Sequence, residues 1–451
     1  MRVKLSYSLS LSEIRQAVNG QGAANATVEY ITTDTRELMA GDLFIALDGK
    51  SYRGDDFIPT AKARGAYSIG TTDGADIRVR DGIAALLNLA YYYKERLEKL
   101  KYTVAITGSV GKTTTKEFLR ILLCTSYTVH SSDGNHNNLI GMPMSILASP
   151  ADTEILVLEM GMNAPGEIRQ MSECARPDIG VITNVGTAHI GRLGSREAIA
   201  KAKLELLSGL SSKLIVPHSE PLLSVEDAIL FSTDCDQADL YLSADNGLVT
   251  AYHRSRRILC APFFSADKRH LACLAPAVLT AIQLGVDEFV LSEQIPKISG
   301  ENTRQSTQCV KDINIICDFY NASYEAFIGA IDALCEDGSS AEKGVLIGDM
   351  LELGEHFDTL HESVGAYAVA KGVNHIFAFG NCCDAVMRGA LKRGFPEDRI
   401  YLNNDMAHPE RTAAQILLAA TPGESILFKA SRGVRLEHVL RAMQNDKNTE
   451  A

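Results

Sequence analysis

The sequence predicts an α/β protein built as three domains: a small N-terminal α/β domain, a central domain around a mostly parallel sheet, and a C-terminal α/β domain. Three observations carry this. Continuous apolar runs of strand length alternate with segments of helical periodicity, as in parallel sheets covered on both faces. A glycine-rich loop, GSVGKTT (108–114), joins the run YTVAIT (102–107) to the amphipathic segment KTTTKEFLRILL (112–123). The 451 residues suffice for about three domains.

In the first domain (1–100), GDLFIAL (41–47) reads as a strand after a glycine turn and DFIPTAKARGA (56–66) as a short helix ending at Gly65. DGIAALLNLAYYYKERLEKL (81–100) reads as a longer amphipathic helix leading into the second domain, its three tyrosines serving packing. In the second domain (101–302), EILVLEM (154–160) and DIGVITNV (178–185) follow the glycine loop as buried strands. The third domain (303–451) carries INIICDF (313–319), KGVLIGDM (343–350), HIFAFG (375–380) and SILFKAS (425–431), alternating with helices as a second open α/β unit. The last residues, 444–451, read as a frayed tail.

Composition excludes several function classes. A net charge of −12 argues against a nucleic-acid partner. The N-terminus lacks the apolar run of a secretory signal, and no segment approaches the ~20 apolar residues of a membrane span, so no membrane insertion is expected. Ten cysteines without a C-x-x-C pair read as reduced thiols of a cytoplasmic protein.

Ligands of open α/β sheets bind beyond the carboxyl ends of the strands, which directs attention to those ends. The loop Gly108-Ser109-Val110-Gly111-Lys112-Thr113-Thr114 is two residues shorter than the usual phosphate loop. Its glycines let backbone N–H groups approach phosphate oxygens, and the following helix adds its positive end. Lys112 suits the β- and γ-phosphates and Thr113 suits Mg²⁺. The same residues also suit a plain glycine turn. The second strand closes on Glu159, a carboxylate that is costly to bury without a cation. Thr187-Ala188-His189 follow the third.

The helix SREAIAKAKLELLSGL (195–210) has the apolar stripe Ile199, Leu206, Leu207 and Leu210, and Lys203 falls inside it. Lys201 faces outward, four residues from Glu205. Lys203 either snorkels to water or is buried as a neutral amine. A neutral amine can add CO₂ and become a carbamate, an oxygen ligand of the kind Mg²⁺ prefers.

These segments resemble the Mur ligases, ATP-dependent amide-bond-forming enzymes of cell-wall synthesis. The resemblance runs over nearly the whole chain. TDTRELMAGDLFIALDGKSYRGDDFI (33–58) is similar to the family's uridine-nucleotide-binding segment. GNHNNLIGMP (134–143), EMGMNAPGEI (159–168), ITNVGTAHIGRLGS (182–195), DFYNAS (318–323), GDMLELGEHFDTLHESVG (348–365) and FKASRG (428–433) resemble the dipeptide-adding branch. That likeness implies a P-loop-type central domain and a Rossmann-like C-terminal domain. It implies a monomer that takes UDP-N-acetylmuramoyl-tripeptide and D-alanyl-D-alanine and uses ATP with two Mg²⁺ ions.

By the same resemblance Lys112, Glu159, His189 and Lys203 are catalytic. Thr113, Glu159, His189 and a carbamylated Lys203 hold metal, while the loop residues with Asp318 and Asn321 hold nucleotide. Asp34, Thr35 and Arg36 match the uridine end, and Asn135, Asn137 and Asn138 a segment near the reaction centre. Tyr320, Asp349, Lys429, Ser431 and Arg432 match motifs lining the cleft. The chain departs from the family pattern at Leu274, where an adenine-anchoring Asn is usual, and at Pro276, expected to break or start a helix. Gly300-Glu301 replaces Gly-Arg, with Arg304 as a shifted substitute. These departures keep open a ligase of the same type with a different acid and amine, or a non-enzymatic nucleotide-binding protein.

Overall fold

The computed structural model describes all residues except 23–24, 303–304, 337, 339 and 446–451. Arg304 and most of the expected frayed tail therefore lie outside the described residues. Three sheets organise the rest.

The N-terminal sheet has the order Arg2–Ser10, Thr27–Thr32, Leu43–Ile45, Tyr67–Gly70, Ile77–Arg78, with the first pair antiparallel and the others parallel. Its first strand runs directly into the helix Leu11–Ala17 through a reciprocal cap: Ser10 Oγ accepts from the Glu13 amide and Glu13 accepts from the Ser10 amide. The long helix predicted over 81–100 spans Gly82–Lys94 and packs against helices of both the first and the central units. Its tyrosines do pack: Tyr93 is buried, its hydroxyl accepting from the Ser6 amide at 2.7 Å, and Tyr91 and Tyr92 stack on Arg176 and Arg96.

The central sheet has nine strands. Its parallel part runs Val129–Ser131, Ile155–Glu159, Tyr102–Thr107, Ile179–Ile182, Lys213–Pro217, Ile229–Ser232, Leu240–Asp245. Leu248–His253 and Arg256–Pro262 extend it as antiparallel hairpins. The turns hold Asn246-Gly247 (φ +49° and +74°) and Arg254-Ser255 (φ +50° and +64°), the left-handed pairs that two-residue hairpin turns require.

The structure departs from the sequence expectations in two helices. The helix Lys268–Gln283 continues through Pro276. Its residues 273–281 are buried between the sheet and the helix Lys112–Leu123, so tertiary packing holds the turn that lost its N–H donor. The predicted helix 195–210 is α-helical over Arg196–Leu204 and then tightens into a 3₁₀ turn over Glu205–Ser208. The tightening rotates Leu207 out to solvent, while Ile199, Lys203 and Leu206 stay buried. Glu205 does not pair with Lys201. It accepts from the Gly166 amide at 2.8 Å and caps the helix Glu167–Ala175.

The C-terminal sheet has the order Ser306–Val310, Ile313–Asp318, Ser425–Lys429, Lys343–Gly348, His375–Phe379, Ile400–Asn403. Only the first pair is antiparallel. No helix among the described residues is long and apolar enough to cross a membrane.

Candidate active site

The strand Tyr102–Thr107 delivers the glycine loop to the edge of the central sheet, and the loop is held there by the neighbouring strand's exit. Asn184 Oδ1 accepts from the amides of Ser109 (3.1 Å) and Val110 (2.9 Å), and its Nδ2 donates to Val110 O at 3.0 Å. Thr183 Oγ1 donates to the same carbonyl at 2.6 Å, and Ser109 Oγ accepts from the Gly186 amide. Gly111, at φ +83°, caps the helix Lys112–Leu123 without a side chain in the way. Lys112 curls back onto Gly108 O at 2.6 Å. Sequence reasoning missed Thr183 and Asn184, although their place just past a strand end was the available signal.

Glu159 ends its strand buried and accepts from Thr113 Oγ1 at 2.6 Å and Asn137 Nδ2 at 2.7 Å. One carboxylate thus ties the loop helix to the 135–138 segment. Asn138 Oδ1 accepts from the amides of Ile140 and Gly141, which fixes that segment's turn. His189, at φ +66°, sits at the start of a short turn of helix. Its Nδ1 lies 2.6 Å from Glu352 Oε2. A carboxylate only accepts, so Nδ1 carries the hydrogen and Nε2 keeps its lone pair. Burial pushes the imidazole below its ordinary value, against the pull of Glu352, which keeps that lone pair available.

Lys203 is fully buried and makes no hydrogen bond or ion pair among the described residues. Burial pushes its amine well below the ordinary lysine value, and the charge of Lys112 adds to the shift. The Glu159 carboxylate, the Thr113 hydroxyl and the His189 imidazole nitrogen line one cavity and are donors that suit a divalent cation, and the buried Lys203 amine lies close enough to His189 to interact with it.

The C-terminal unit supplies the opposite wall. Lys429 Nζ donates to Asp318 Oδ2 at 2.9 Å and to Asn321 O at 3.2 Å, and Arg269 reaches Asp318 at 3.4 Å. Burial lowers the Lys429 amine, with Asp318 opposing the shift. Glu325 crosses between the units and accepts from the Thr187 amide at 2.9 Å. The result is one cavity of about 500 Å³. Residues 109–114, Asn135, Asn137, Asn138, Glu159 and His189 line it from the central unit, and Asp318, Tyr320, Asn321 and Lys429 from the C-terminal unit. Lys203 is not among the residues that line this cavity, yet it is close enough to His189 and Lys112 to interact with both electrostatically.

Other expected site residues are elsewhere. Asp34 and Arg36 pair with each other at 2.6 Å on the N-terminal unit, where Asp34 caps the turn Thr35–Glu37. Asp349 does not line the cavity. It is buried and accepts from the Cys382 amide at 2.8 Å and from Asn381 Nδ2 at 3.0 Å. Ser431 Oγ accepts from the Leu351 amide, and Arg432 points outward toward Glu437. These three shape the C-terminal loops instead of touching the cleft. Leu274 is fully buried in the core, and its neighbour Cys273 lines the cavity in its place.

Asp349, His361 and Cys382 converge closely enough to suggest a metal cluster. Yet His361 Nε2 accepts from the Met350 amide while Nδ1 donates to Phe357 O, and both Asp349 oxygens already accept hydrogen bonds from the turn at residues 381–382. The cluster is a structural knot.

Comparison with known proteins agrees with this geometry. Residues 106–246 match the family described as Mur ligase middle domain. The chain is 35% identical to the UDP-N-acetylmuramoyl-tripeptide–D-alanyl-D-alanine ligase of Bacillus subtilis, over 92% of this chain and 93% of that one. Among solved structures, MurF from Acinetobacter baumannii superposes with a TM-score of 0.87 at 25% identity, covering 98% and 100% of the two chains. MurF ligase from Thermotoga maritima in complex with ADP superposes with a TM-score of 0.77 at 30% identity, covering 92% and 96%.

Proposed function

The chain belongs to the Mur ligase family, and from that premise we propose that it joins D-alanyl-D-alanine to UDP-N-acetylmuramoyl-tripeptide with consumption of ATP. The observation that carries this reading is the single cavity that brings the glycine loop, Glu159 and the 135–138 segment to face Asp318, Tyr320, Asn321 and Lys429. A phosphate site at one wall and a second polar wall opposite it suit an acid, a nucleotide and an amine held together.

The chemistry follows from that arrangement. The loop amides and Lys112 bind the β- and γ-phosphates of ATP. The tripeptide carboxylate attacks the γ-phosphorus in line, forming an O–P bond while the bond to the β-phosphate oxygen breaks and ADP leaves. The amine of the dipeptide then attacks the acyl phosphate carbonyl. The C–N bond forms, the C–O bond to phosphate breaks, and phosphate and a proton are released. A carboxylate is a poor electrophile, and phosphorylation supplies its leaving group. The protein's share is to position three anionic or polar groups and neutralise their charge.

Thr113, Glu159 and His189 would hold Mg²⁺, which supplies charge neutralisation on the transferring phosphoryl group. As a carbamate, Lys203 would complete this set. Its neutral amine adds CO₂, a C–N bond forms and one proton leaves, turning an orphaned buried nitrogen into anionic oxygen. A ¹³C carbamate resonance in protein equilibrated with ¹³C-bicarbonate, absent from Lys203→Met, tests that modification. The first domain, 1–100, holds the uridine end through Asp34, Thr35 and Arg36. The central domain, 101–302, holds ATP. The third, 303–451, with Tyr320 and Lys429, receives the amine and excludes water from the activated acid. The reaction belongs in the cytoplasm, where ATP is available.

The test is a ligation assay read by mass spectrometry with ATP, Mg²⁺, the UDP-muramoyl tripeptide and D-alanyl-D-alanine, each omitted in turn. A pentapeptide product that needs all four is expected. ATP consumption without that product would assign a different acid or amine, and neither turnover nor product from folded protein would overturn the reading.

A further inference from the structure

We propose that Glu352 is a positioning residue for His189, and that it couples docking of the C-terminal unit to the orientation of the imidazole in the cleft. The proposal rests on the reading of the cleft as a metal–nucleotide site.

Glu352 lies in the loop after the strand Lys343–Gly348, on the C-terminal unit, and His189 lies after Ile179–Ile182, on the central unit. Glu352 turns both carboxylate oxygens and its backbone oxygen toward the same short segment. Oε2 takes the His189 Nδ1 hydrogen at 2.6 Å, Oε1 takes Arg192 Nη2 at 2.6 Å, and its backbone oxygen takes the Gly191 amide at 3.0 Å. Both partners hold left-handed backbone angles, φ +65° at Glu352 and +66° at His189. For residues with a side chain that conformation costs about 1–2 kcal/mol each, and it persists where surrounding contacts over-determine it. Two such residues facing each other across one interface point to a contact that serves the site.

The backbone approach is equally specific. A Cβ on Gly191 would overlap Gly354 N and Leu353 C and lie 2.6 Å from Glu352 O. Only glycine lets these two loops meet. The hydrogen bond at Nδ1 leaves Nε2 as the nitrogen with the lone pair, on a residue that lines the cleft. A carboxylate behind an imidazole in this manner fixes its tautomer and ring plane, and losing such a partner typically weakens metal affinity ~10–100-fold. Here that carboxylate is delivered by the other domain, so the imidazole is locked only when the units are together.

The experiment compares Glu352→Ala, Glu352→Gln and Arg192→Ala in the full chain, each checked for an unchanged melting profile. Isothermal calorimetry measures ADP affinity with Mn²⁺ and with EDTA, so that the increment due to the metal is read separately from nucleotide binding. Ligation kinetics supply kcat and KM. Glu352→Ala should lose the metal increment by at least ~10-fold and lower kcat by a similar factor, with KM for the uridine substrate within about twofold. Glu352→Gln, whose amide oxygen still accepts from Nδ1, should recover most of both. Arg192→Ala should retain the increment, because it breaks the ion pair and spares the imidazole.

A wild-type metal increment in Glu352→Ala would overturn the proposal. So would equal losses in Glu352→Ala and Arg192→Ala, which would mean that the contact only docks the domains. Should the wild-type protein bind Mn²⁺ and ADP yet form no amide, the substrate reading fails while the calorimetric comparison still decides the role of Glu352. An absent metal increment in the wild type would remove both.

Discussion

Replacing Gly108 with alanine tests how tightly the phosphate loop is built. Gly108 has φ +149°, a backbone setting that L side chains rarely adopt. A Cβ placed there would overlap Thr183 Oγ1 and lie 3.1 Å from Thr183 Cβ and 3.2 Å from Thr183 N. The backbone penalty is about 1–3 kcal/mol. Overpacking against a fixed strand exit adds about 1–3 kcal/mol. The sum, ~2–6 kcal/mol, is divided between lower stability and a displaced loop. At ~2–4 °C per kcal/mol for a unit of this size, the nucleotide-free protein should melt at least about 2 °C lower even if only half of the minimum cost appears as lost stability. If half of the minimum cost appears as loop displacement, ADP affinity falls ~5-fold, since ~1.4 kcal/mol is tenfold. Differential scanning calorimetry and titration calorimetry read the two effects. The double variant Gly108→Ala/Thr183→Ala removes the overlap with Oγ1 and leaves the backbone penalty, so it should recover part of the loss. A Gly108→Ala protein with unchanged melting and unchanged ADP affinity would refute the steric reasoning, as would a double variant worse than the sum of its parts.

Three further outcomes are expected. Lys203→Met should abolish ligation yet raise the melting temperature of metal-free protein in CO₂-depleted buffer. Because the folded-state amine lies below the unfolded value of 10.5, the wild type loses stability as pH falls from there, so the gain should be larger at pH 7 than at pH 10. Asp34, held to about 2 by its hydrogen bonds with Arg36, should titrate near that value by NMR and move up toward 3.8 in Arg36→Ala. The stability tied to this partly exposed pair is present above 3.8 and lost as pH falls through about 2. Iodoacetamide at pH 8 should label the exposed Cys124, Cys260 and Cys309 and spare Cys273, whose thiol burial pushes up to about 12 although it lines the cavity.

Much of the fold was legible because parallel strands buried on both faces write themselves as apolar runs. The strand over 102–107 and the helix over 112–123 begin and end where the sequence placed them. The antiparallel extension over 240–262 was not anticipated, even though Asn246-Gly247 is a strong hairpin signal, because its flanking strands are half buried and carry Tyr241, Leu248 and Tyr252 on the outer face, which blurs the apolar–polar contrast. Pro276 misled for the opposite reason: local chemistry argues for a break, and packing on all sides overrides it.

In the cleft, residues adjacent to motifs were readable. Contacts made across domains were not. Glu159 and Lys203 announce themselves as charges inside apolar runs. Nothing in the chain order tells that Glu352 meets His189, or that Glu325, in the first turn of the helix Tyr324–Glu336, meets Thr187, since each pair joins segments that follow strands of different sheets. Asp349 shows the converse limit. A motif match placed it in the cleft, while the structure spends both its oxygens on the turn at residues 381–382.

The central claim is that the nucleotide's γ-phosphate activates an acid. Ligation run with the tripeptide's terminal carboxylate labelled at both oxygens with ¹⁸O tests it most directly, with the inorganic phosphate analysed by mass spectrometry. One labelled oxygen should leave with phosphate and the other should remain in the amide carbonyl. Phosphate free of label, with amide formed, would mean that the acid never carried the phosphoryl group.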